Sequence, residues 1–367
     1  MGSLGSFALA CAGGAALGLS IVVEVDGVRL PVFWPVNGIL VGALLLTEPR
    51  RWAWYVAPAC AIAAVAGVMS SLPPLTTAAL ALLVAAEGAL GAWLLRRTAG
   101  PFSLTRLAHV LAFVLIAALG PMAGGIVAAS LLRPDGAAWF DVWRGWWLME
   151  ALGMLAAPVV VAAVTASPFS AGRRSRAIEL AALLTLGGTL AVLIFGEVLS
   201  PVAQVPASML PFFLWAAFRF GVAETAATLM VISFAGMWHT AQGYGPLALP
   251  GATVSDRIVR AQGTTAVAAA SLLLMASVVA ERRRVARENE RLVADLQKAL
   301  AEIRTLRGFI PICAWCHKVR DDAGFWQQIE RYLSARTDAK FSHSICPTCA
   351  EHAHLEAAGQ DNSAVQR

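Results

Sequence analysis

The pattern of apolar and polar residues divides the chain into two unequal parts. Apolar runs separated by short polar stretches fill residues 1–280, and charged residues become frequent from residue 281 onward. A helix needs ~20 apolar residues to cross the ~30 Å hydrocarbon core of a bilayer. The pattern therefore predicts membrane spans at 6–25, 37–49, 53–71, 75–96, 104–132, 144–166, 178–199, 207–219, 222–240 and 258–280.

The predicted number of crossings is eight to ten. Segments 37–49 and 207–219 are short for full spans, so the count depends on whether either of them is re-entrant. The segment 104–132 is too long for a straight span and contains the sequence GPMAGG at 120–125, which predicts a kink or a break there. The expected fold class is an all-α polytopic membrane protein.

Composition and charge placement agree with a membrane protein. A chain that is 58% hydrophobic and 14% charged is not an ordinary soluble domain. With ten crossings, all the arginine groups fall on one side, which is the positive-inside distribution: Arg50/Arg51, Arg96/Arg97, Arg173/Arg174/Arg176, Arg219 and Arg282/Arg283/Arg284. This predicts a multi-pass protein of a bacterial inner membrane with both termini in the cytoplasm. The net charge of +5 is explained by this distribution and does not indicate nucleic-acid binding.

The segment from Arg257 to Phe309 is expected to form one helix that leaves the membrane and enters water. Its charged half, 281–308, contains apolar positions spaced alternately four and three residues apart, as in a two-stranded coiled coil. A buried Asn at an a position favours a parallel, in-register dimer. The predicted seam of a homodimer comprises Val285, Asn289, Leu292, Leu296, Ala299, Ile303 and Leu306. The alternative is a lone amphipathic helix that folds back on the tail.

Acidic and aromatic residues in the apolar part form a candidate ligand pocket. Glu87 and Glu150 lie within predicted spans, where a carboxyl group is costly. Trp146 and Trp147 accompany Glu150, and together these four residues suggest polar anchors and walls for a ligand. An interfacial aromatic belt with interhelical hydrogen bonds explains the same residues without a ligand.

Four segments, taken in order, resemble the membrane-associated sensor (MASE) family, type one. They are FWPVNGILVGALLL (33–46), WWLMEALGMLAAPVVVA (146–162), PFFLWAAFRFG (211–221) and GYGPL (243–247). The family usually has Gly-Asp where this chain has Met149-Glu150, so the acid is kept and the glycine is not. The resemblance implies an integral-membrane sensory module that usually feeds a kinase or a cyclic-dinucleotide enzyme.

The tail, 309–356, carries two cysteine pairs, Cys313-x-x-Cys316 and Cys346-x-x-Cys349, separated by 29 residues. Cytosolic thiols stay reduced, and two such pairs suit a tetrahedral site with four thiolate ligands. The sequence therefore predicts a zinc-ribbon-like domain. A short helix is expected between the pairs, with a face made of Phe325, Trp326, Ile329, Tyr332 and Leu333.

Two alternatives to zinc stay open for the tail. Iron is less favoured, because rubredoxin-type turns have Gly after the second Cys, where this chain has His317 and Ala350. A dithiol redox switch is the other alternative, since Lys318 and Arg320 lie nearby. The tail also resembles a short C-terminal module of bacterial sensory proteins and response regulators, through IPICAWCHKVRDDAGFWQQIERYL and FSHSICPTC. That resemblance implies signalling.

These patterns predict four regions: a membrane sensor domain (1–280), a dimeric coiled-coil signalling helix (281–308), the cysteine domain (309–356) and a disordered C-terminus (357–367). No kinase or cyclic-dinucleotide motif occurs, so the protein is not expected to be an enzyme. The expected function is a sensor in the lipid bilayer that signals to a cytosolic signalling protein of unknown identity. The alternatives are a transporter or channel-like protein with a regulatory tail, and a membrane thiol-redox protein.

Overall fold

The structure is a computed structural model, and it describes residues 4–25, 28–97, 102–132, 139–165, 173–196, 198, 206–307, 310–321, 323–336 and 340–351. The chain forms two compact units, residues 1–287 and 288–367. The predicted C-terminus, 357–367, lies outside the described residues.

The first unit is built almost entirely from helices. Its helices are α1 (Leu4–Leu19), α2 (Pro35–Leu46), α3 (Ala53–Met69), α4 (Pro74–Arg97), α5 (Leu107–Leu131), α6 (Trp139–Gly153), α7 (Ala156–Thr165), α8 (Arg173–Phe195), α9 (Leu210–Trp215), α10 (Val222–Ala241) and α11 (Val254–Arg307). Short 3₁₀ turns cover Pro49–Arg51 and Pro206–Met209, and a π-helix covers Ala216–Phe220. The last helix, α11, continues beyond residue 287.

Helix α2 is the centre of this unit. Ten of its 12 residues are buried, so it is apolar on all sides and packs against α1, α3, α4, α6 and α7. Glycines permit the close packing, because Gly38 lies against the carbonyl of Gly153 and Gly42 against Val160. The Arg96 guanidinium donates to the carbonyl of Leu44 near the C-terminal end of α2, at 3.2 Å.

Within the described part of the chain, five helices are long and apolar enough to cross a membrane, judged by length and composition. They are Pro74–Arg97, Leu107–Leu131, Trp139–Thr165 (α6 and α7 taken together), Arg174–Phe195 and Val254–Leu300. Shorter apolar helices cover Leu4–Leu19, Pro35–Leu46 and Ala53–Met69. These elements confirm an all-α polytopic membrane protein, and a count of eight or ten crossings stays a prediction.

Several predicted spans differ from the observed elements, and 144–166, for example, is divided between α6 and α7. The span 6–25 is shortened, because Val22–Val25 (β1) and Val28–Pro31 (β2) form an antiparallel hairpin with Val22 opposite Pro31. The valines and the Asp26-Gly27 sequence between the strands favour a hairpin over a helix. Segment 207–219 is divided between α9 and the π-helix. Helix α5 continues unbroken through Pro121, so the break considered there does not occur.

The second unit contains the C-terminal part of α11 and the cysteine tail. Strands β3 (Val319–Arg320) and β4 (Trp326–Gln327) pair antiparallel, and α12 covers Ile329–Ser334. The predicted helix between the cysteine pairs is therefore shorter than expected. Phe325 and Trp326 precede it and are 72% and 49% exposed, so they are not part of an apolar helix face.

A substitution at Gly38 tests the packing of α2. A Cβ atom there would overlap the carbonyl oxygen of Gly153 and lie 3.0 Å from the Met154 Cα. We expect Gly38→Ala to destabilise the first unit by about 1–3 kcal/mol and to lower its melting temperature in detergent. Gly13→Ala is the matched control, because nothing lies within 4 Å of its added methyl group. Equal melting temperatures for the two variants would contradict the packing.

Candidate functional site

A carboxyl group and an amide meet in the interior of the first unit. Glu150, on α6, is fully buried, and the Nδ2 of Asn37 on α2 donates to its Oε2 at 3.0 Å. The Glu150 Oε1 and the Asn37 Oδ1 are buried without a hydrogen-bond partner among the described residues. Buried polar atoms of this kind are costly, so the pair has unused capacity to bind another group.

Glu87, on α4, lies beside this pair. It is close enough to Glu150 for their charges to interact, and both of its carboxylate oxygens lack a partner in the described part of the chain. Gly124 on α5 makes the room, because a Cβ there would overlap the Glu87 Oε1. The neighbouring Gly88 leaves similar room for the Asn37 Oδ1. The two predicted acids are thus brought together by small residues on adjacent helices.

The two predicted tryptophans, Trp146 and Trp147, point to different surroundings. Trp146 is buried and, with Glu150, lines a cavity bounded by α1, β2, α3, α4 and α6. The indole of Trp147 donates instead to the carbonyl of Ala118 on α5, at 2.7 Å. Trp143 donates to Met122 on the same helix at 3.0 Å, and its ring centroid lies 5.4 Å from that of Trp147. Trp147 therefore anchors α6 to α5 and does not line that cavity.

Sequence reasoning missed Trp34 and Asn37 as site residues. Trp34 is buried beside Trp146 in the cavity wall, and Asn37 binds Glu150. Both lie in the FWPVNG segment, and the proline at the start of α2 fixes where that helix begins. A polar residue in the first turn of an otherwise apolar helix was the available signal.

Polar side chains of helix α11 contact other elements of the first unit. Gln262 is buried, and its Nε2 donates to the carbonyl of Val32 at 2.8 Å, just after β2. The Glu281 carboxylate accepts from the amide of Leu107 at 3.0 Å, which caps the N-terminus of α5. Arg283 donates to the carbonyls of Phe218 and Arg219 in the π-helix. We call Glu281 and Arg283 the exit contacts of α11.

The π-helix that receives Arg283 is itself held by ion pairs. Arg219 donates to Glu179 of α8 at 2.8 Å, and the Trp215 indole donates to the same carboxylate at 3.2 Å. Arg176 lies 3.3 Å from Glu224 at the start of α10. These contacts are exposed, so each one is individually weak, but together they tie α8, the π-helix and α10 to one another.

Each cysteine pair of the tail forms a compact turn. The amides of Cys316 and Trp315 donate to the sulfur of Cys313 and lower the pKa of its thiol. His317, which follows the first pair, has a left-handed φ of 52° and donates its amide to the Cys313 carbonyl at 2.9 Å. In the second pair, the amides of Cys349 and Thr348 likewise lower the pKa of Cys346, at the start of the helical turn 347–351. Both turns therefore stabilise thiolates.

The two pairs are not gathered into one cluster. Among the described residues, no three His, Cys, Asp or Glu side chains lie close enough together to hold a metal ion. Each pair separately has the amide-to-sulfur hydrogen bonds that suit two thiolate ligands. The donor chemistry fits half of a zinc site at each pair, and a complete site requires the two turns to approach each other.

The predicted dimer seam carries exposed apolar side chains. Val285, Leu292 and Leu296 are 43%, 56% and 63% exposed in the single chain, and Asn289 is also exposed. Val293 and Leu300 are exposed as well and widen this apolar stripe beyond the predicted positions. The side chains of Ile303 and Leu306 lie outside the described residues. The stripe is apolar surface that another helix could cover.

The fold and these contacts define a polytopic helical membrane protein whose last helix extends past its apolar half. The chain belongs to the MASE1 family, whose model matches residues 4–283. The first unit is thus a membrane sensor domain, as the sequence resemblance implied. No curated protein and no solved structure matches the chain.

The exit contacts can be tested at Arg283. Arg283→Ala removes the donors to the Phe218 and Arg219 carbonyls, so the C-terminal end of the π-helix loses two partners. We expect amide hydrogen exchange in peptides covering 216–224 to become roughly threefold to tenfold faster. Arg282→Ala, which removes the same charge from an exposed neighbouring position, is the control. Identical exchange in both variants would show that Arg283 does not hold the π-helix.

Proposed function

We propose that the protein is a bacterial inner-membrane sensor without a catalytic domain of its own. In this proposal the membrane unit binds a stimulus, and α11 transmits the resulting change to the cysteine tail, which docks a cytosolic signalling protein. The observation that carries the proposal is the continuity of α11, which is one helix from Val254 to Arg307. Its apolar half is hydrogen-bonded within the sensor domain, and its charged half begins at the exit contacts.

The spacing of polar contacts on α11 supports a membrane crossing. Gln262 and Glu281 are 19 residues apart, which corresponds to about 29 Å of helix, close to the thickness of the hydrocarbon core. No charged residue lies between them. Arg282, Arg283 and Arg284 follow directly, so the positive-inside rule assigns this end to the cytoplasm. With an even number of crossings, the N-terminus lies on the same side.

The exposed stripe on the charged half of α11 supports a parallel homodimer. Leu292 and Leu296 are more than half exposed in a single chain, and burying them against a second copy is favourable. Asn289 is exposed at an a position, where its amide would pair with that of its twin. A symmetric dimer allows a change in each sensor domain to alter how the two helices pack.

We further propose that the four tail cysteines bind one zinc ion. The two turns each present amide-stabilised sulfurs but are not assembled into one site, and a bound metal is a means of drawing them together. The tail has little else to hold it, because Trp315 and Phe325 are 93% and 72% exposed. Zinc binding at Cys313, Cys316, Cys346 and Cys349 would therefore order the docking surface.

The dimer is tested by disulfide cross-linking in membranes. We expect chains with Leu292→Cys or Leu296→Cys to cross-link several times more than chains with Arg291→Cys or Ala294→Cys, because only the first two positions lie on the seam. The unsubstituted chain measures the background from the native cysteines. Cross-linking without heptad periodicity would show that the protein does not dimerise in parallel through α11.

The metal is tested by elemental analysis of the intact protein in detergent. We expect about one zinc per chain and its loss in both Cys313→Ser and Cys346→Ser, because each substitution removes a ligand from one pair. Cys11→Ser is the matched control, since Cys11 is buried in α1 and distant in sequence from the tail. An iron–thiolate absorption spectrum, or purified protein without zinc, would contradict the proposal.

A further inference from the structure

The cavity beside Glu150 has the features of a built binding site. Its volume is about 70 Å³, and most of its wall is aliphatic, contributed by residues such as Leu30, Leu80 and Val84. A single water needs ~10–15 Å³ by this measure, so the space accommodates roughly five or six water-sized groups. That size suits a small metabolite and excludes a nucleotide or a sugar phosphate.

Three polar atoms in the cavity wall have no partner among the described residues. They are the indole Nε1 atoms of Trp34 and Trp146 and the Oε1 of Glu150. The two tryptophans are 5% and 6% exposed and Glu150 is 0% exposed. Leaving buried donors and acceptors unpaired is costly, and a ligand that pairs them would be favoured for the same reason.

The unpaired atoms are of two complementary kinds. The indole N–H groups are donors and require an acceptor oxygen, and Arg29, an exposed cationic residue of β2 that also lines the cavity, favours that oxygen being anionic. The Glu150 Oε1 lacks a donor, and the nearby Glu87 carboxyl group, whose two oxygens also lack partners among the described residues, favours a cationic one. We propose that this cavity binds a small aliphatic amino acid, with its carboxylate at Trp34, Trp146 and Arg29, its ammonium at Glu150 and its side chain against the aliphatic wall.

The site is connected to the output helix through two residues. Trp34 is two residues beyond Val32, and the Val32 carbonyl accepts the hydrogen bond from Gln262 of α11. A ligand that accepts a hydrogen bond from the Trp34 indole would therefore shift the segment whose Val32 carbonyl binds α11. This coupling rests on the proposed sensor function, whereas binding at the cavity does not.

Binding is tested by calorimetry on the full-length protein in lipid nanodiscs with L-alanine as the probe. We expect saturable binding, with ethylamine and propionate at least tenfold weaker because each lacks one of the two charged groups. L-Phenylalanine is expected to be excluded by size. Failure of L-alanine to bind the folded protein, or equally tight binding of ethylamine or propionate, would overturn the proposal.

Two variants locate the site. Trp34→Phe removes the indole N–H together with part of the ring, and Glu150→Gln replaces a carboxyl oxygen with an NH2 group, so each is expected to weaken L-alanine binding about tenfold or more. Trp147→Phe is the matched control, because its indole is already bonded to Ala118 outside the cavity. Elution as a single species confirms that each variant is folded. A loss of binding in Trp147→Phe equal to that in Trp34→Phe would assign the probe to another site.

A separate measurement distinguishes the site from the sensor function. L-Alanine is expected to change the rate of cross-linking at Leu292→Cys, and Gln262→Leu is expected to abolish that change while binding persists. Binding without any change in cross-linking would leave the site in place and refute the coupling through α11. Absence of binding in a chain that still cross-links with heptad periodicity would refute the site and leave the dimer intact.

Discussion

The packing of the first unit depends on how its buried polar groups find hydrogen-bond partners in an apolar interior. Away from water, a hydrogen bond is strong and an unpaired polar atom is expensive, so each polar side chain within an apolar helix determines what must pack beside it. Asn37 places α2 against Glu150 of α6, and Gln262 places α11 against the segment after β2. Glycines at 38, 88 and 124 make these approaches possible by leaving room for a carbonyl or a carboxylate.

The sequence was most informative where composition alone decides the structure. Apolar runs of sufficient length identified α4, α5, α8 and the apolar half of α11, and the uninterrupted sequence after Gly263 predicted one long helix. The hairpin at 22–31 was missed because Val22 and Val23 were assigned to the end of an apolar helix, although the Asp26-Gly27 sequence that follows is a turn signal. The helix predicted between the cysteine pairs was too long. Phe325 and Trp326 match a helical spacing, but Phe325 precedes strand β4 and Trp326 is its first residue.

The candidate sites were predicted unevenly for physical reasons. Glu87 and Glu150 stood out because carboxyl groups are rare in apolar runs, and the structure places them together. Adjacent tryptophans on a helix point about 100° apart, and here Trp146 lines the cavity while Trp147 donates to Ala118 of α5. Asn37 was missed although a polar residue within an apolar helix is a signal, and Trp34 was missed because an indole has no distinctive pattern until the partner helix is known. The cysteine pairs show the opposite case. The Cys-x-x-Cys spacing predicts each turn, but whether the two turns come together depends on the fold of the whole tail.

The positions of the polar contacts on α11 restrict how this helix can move. Gln262 and the exit contacts lie about 29 Å apart along a helix without Pro or an internal break, so both ends follow any rigid displacement. A shift along the axis would stretch the Gln262–Val32 bond and the Glu281–Leu107 bond together, whereas rotation would carry Gln262, Glu281 and Arg283 sideways from partners on different elements. Either movement would break these hydrogen bonds, so it requires new partners for the same polar groups. The exposed stripe that begins at Val285 is only one turn beyond Glu281. In the proposed dimer, a change of position at the exit contacts would therefore displace Val285, the first position of the predicted seam.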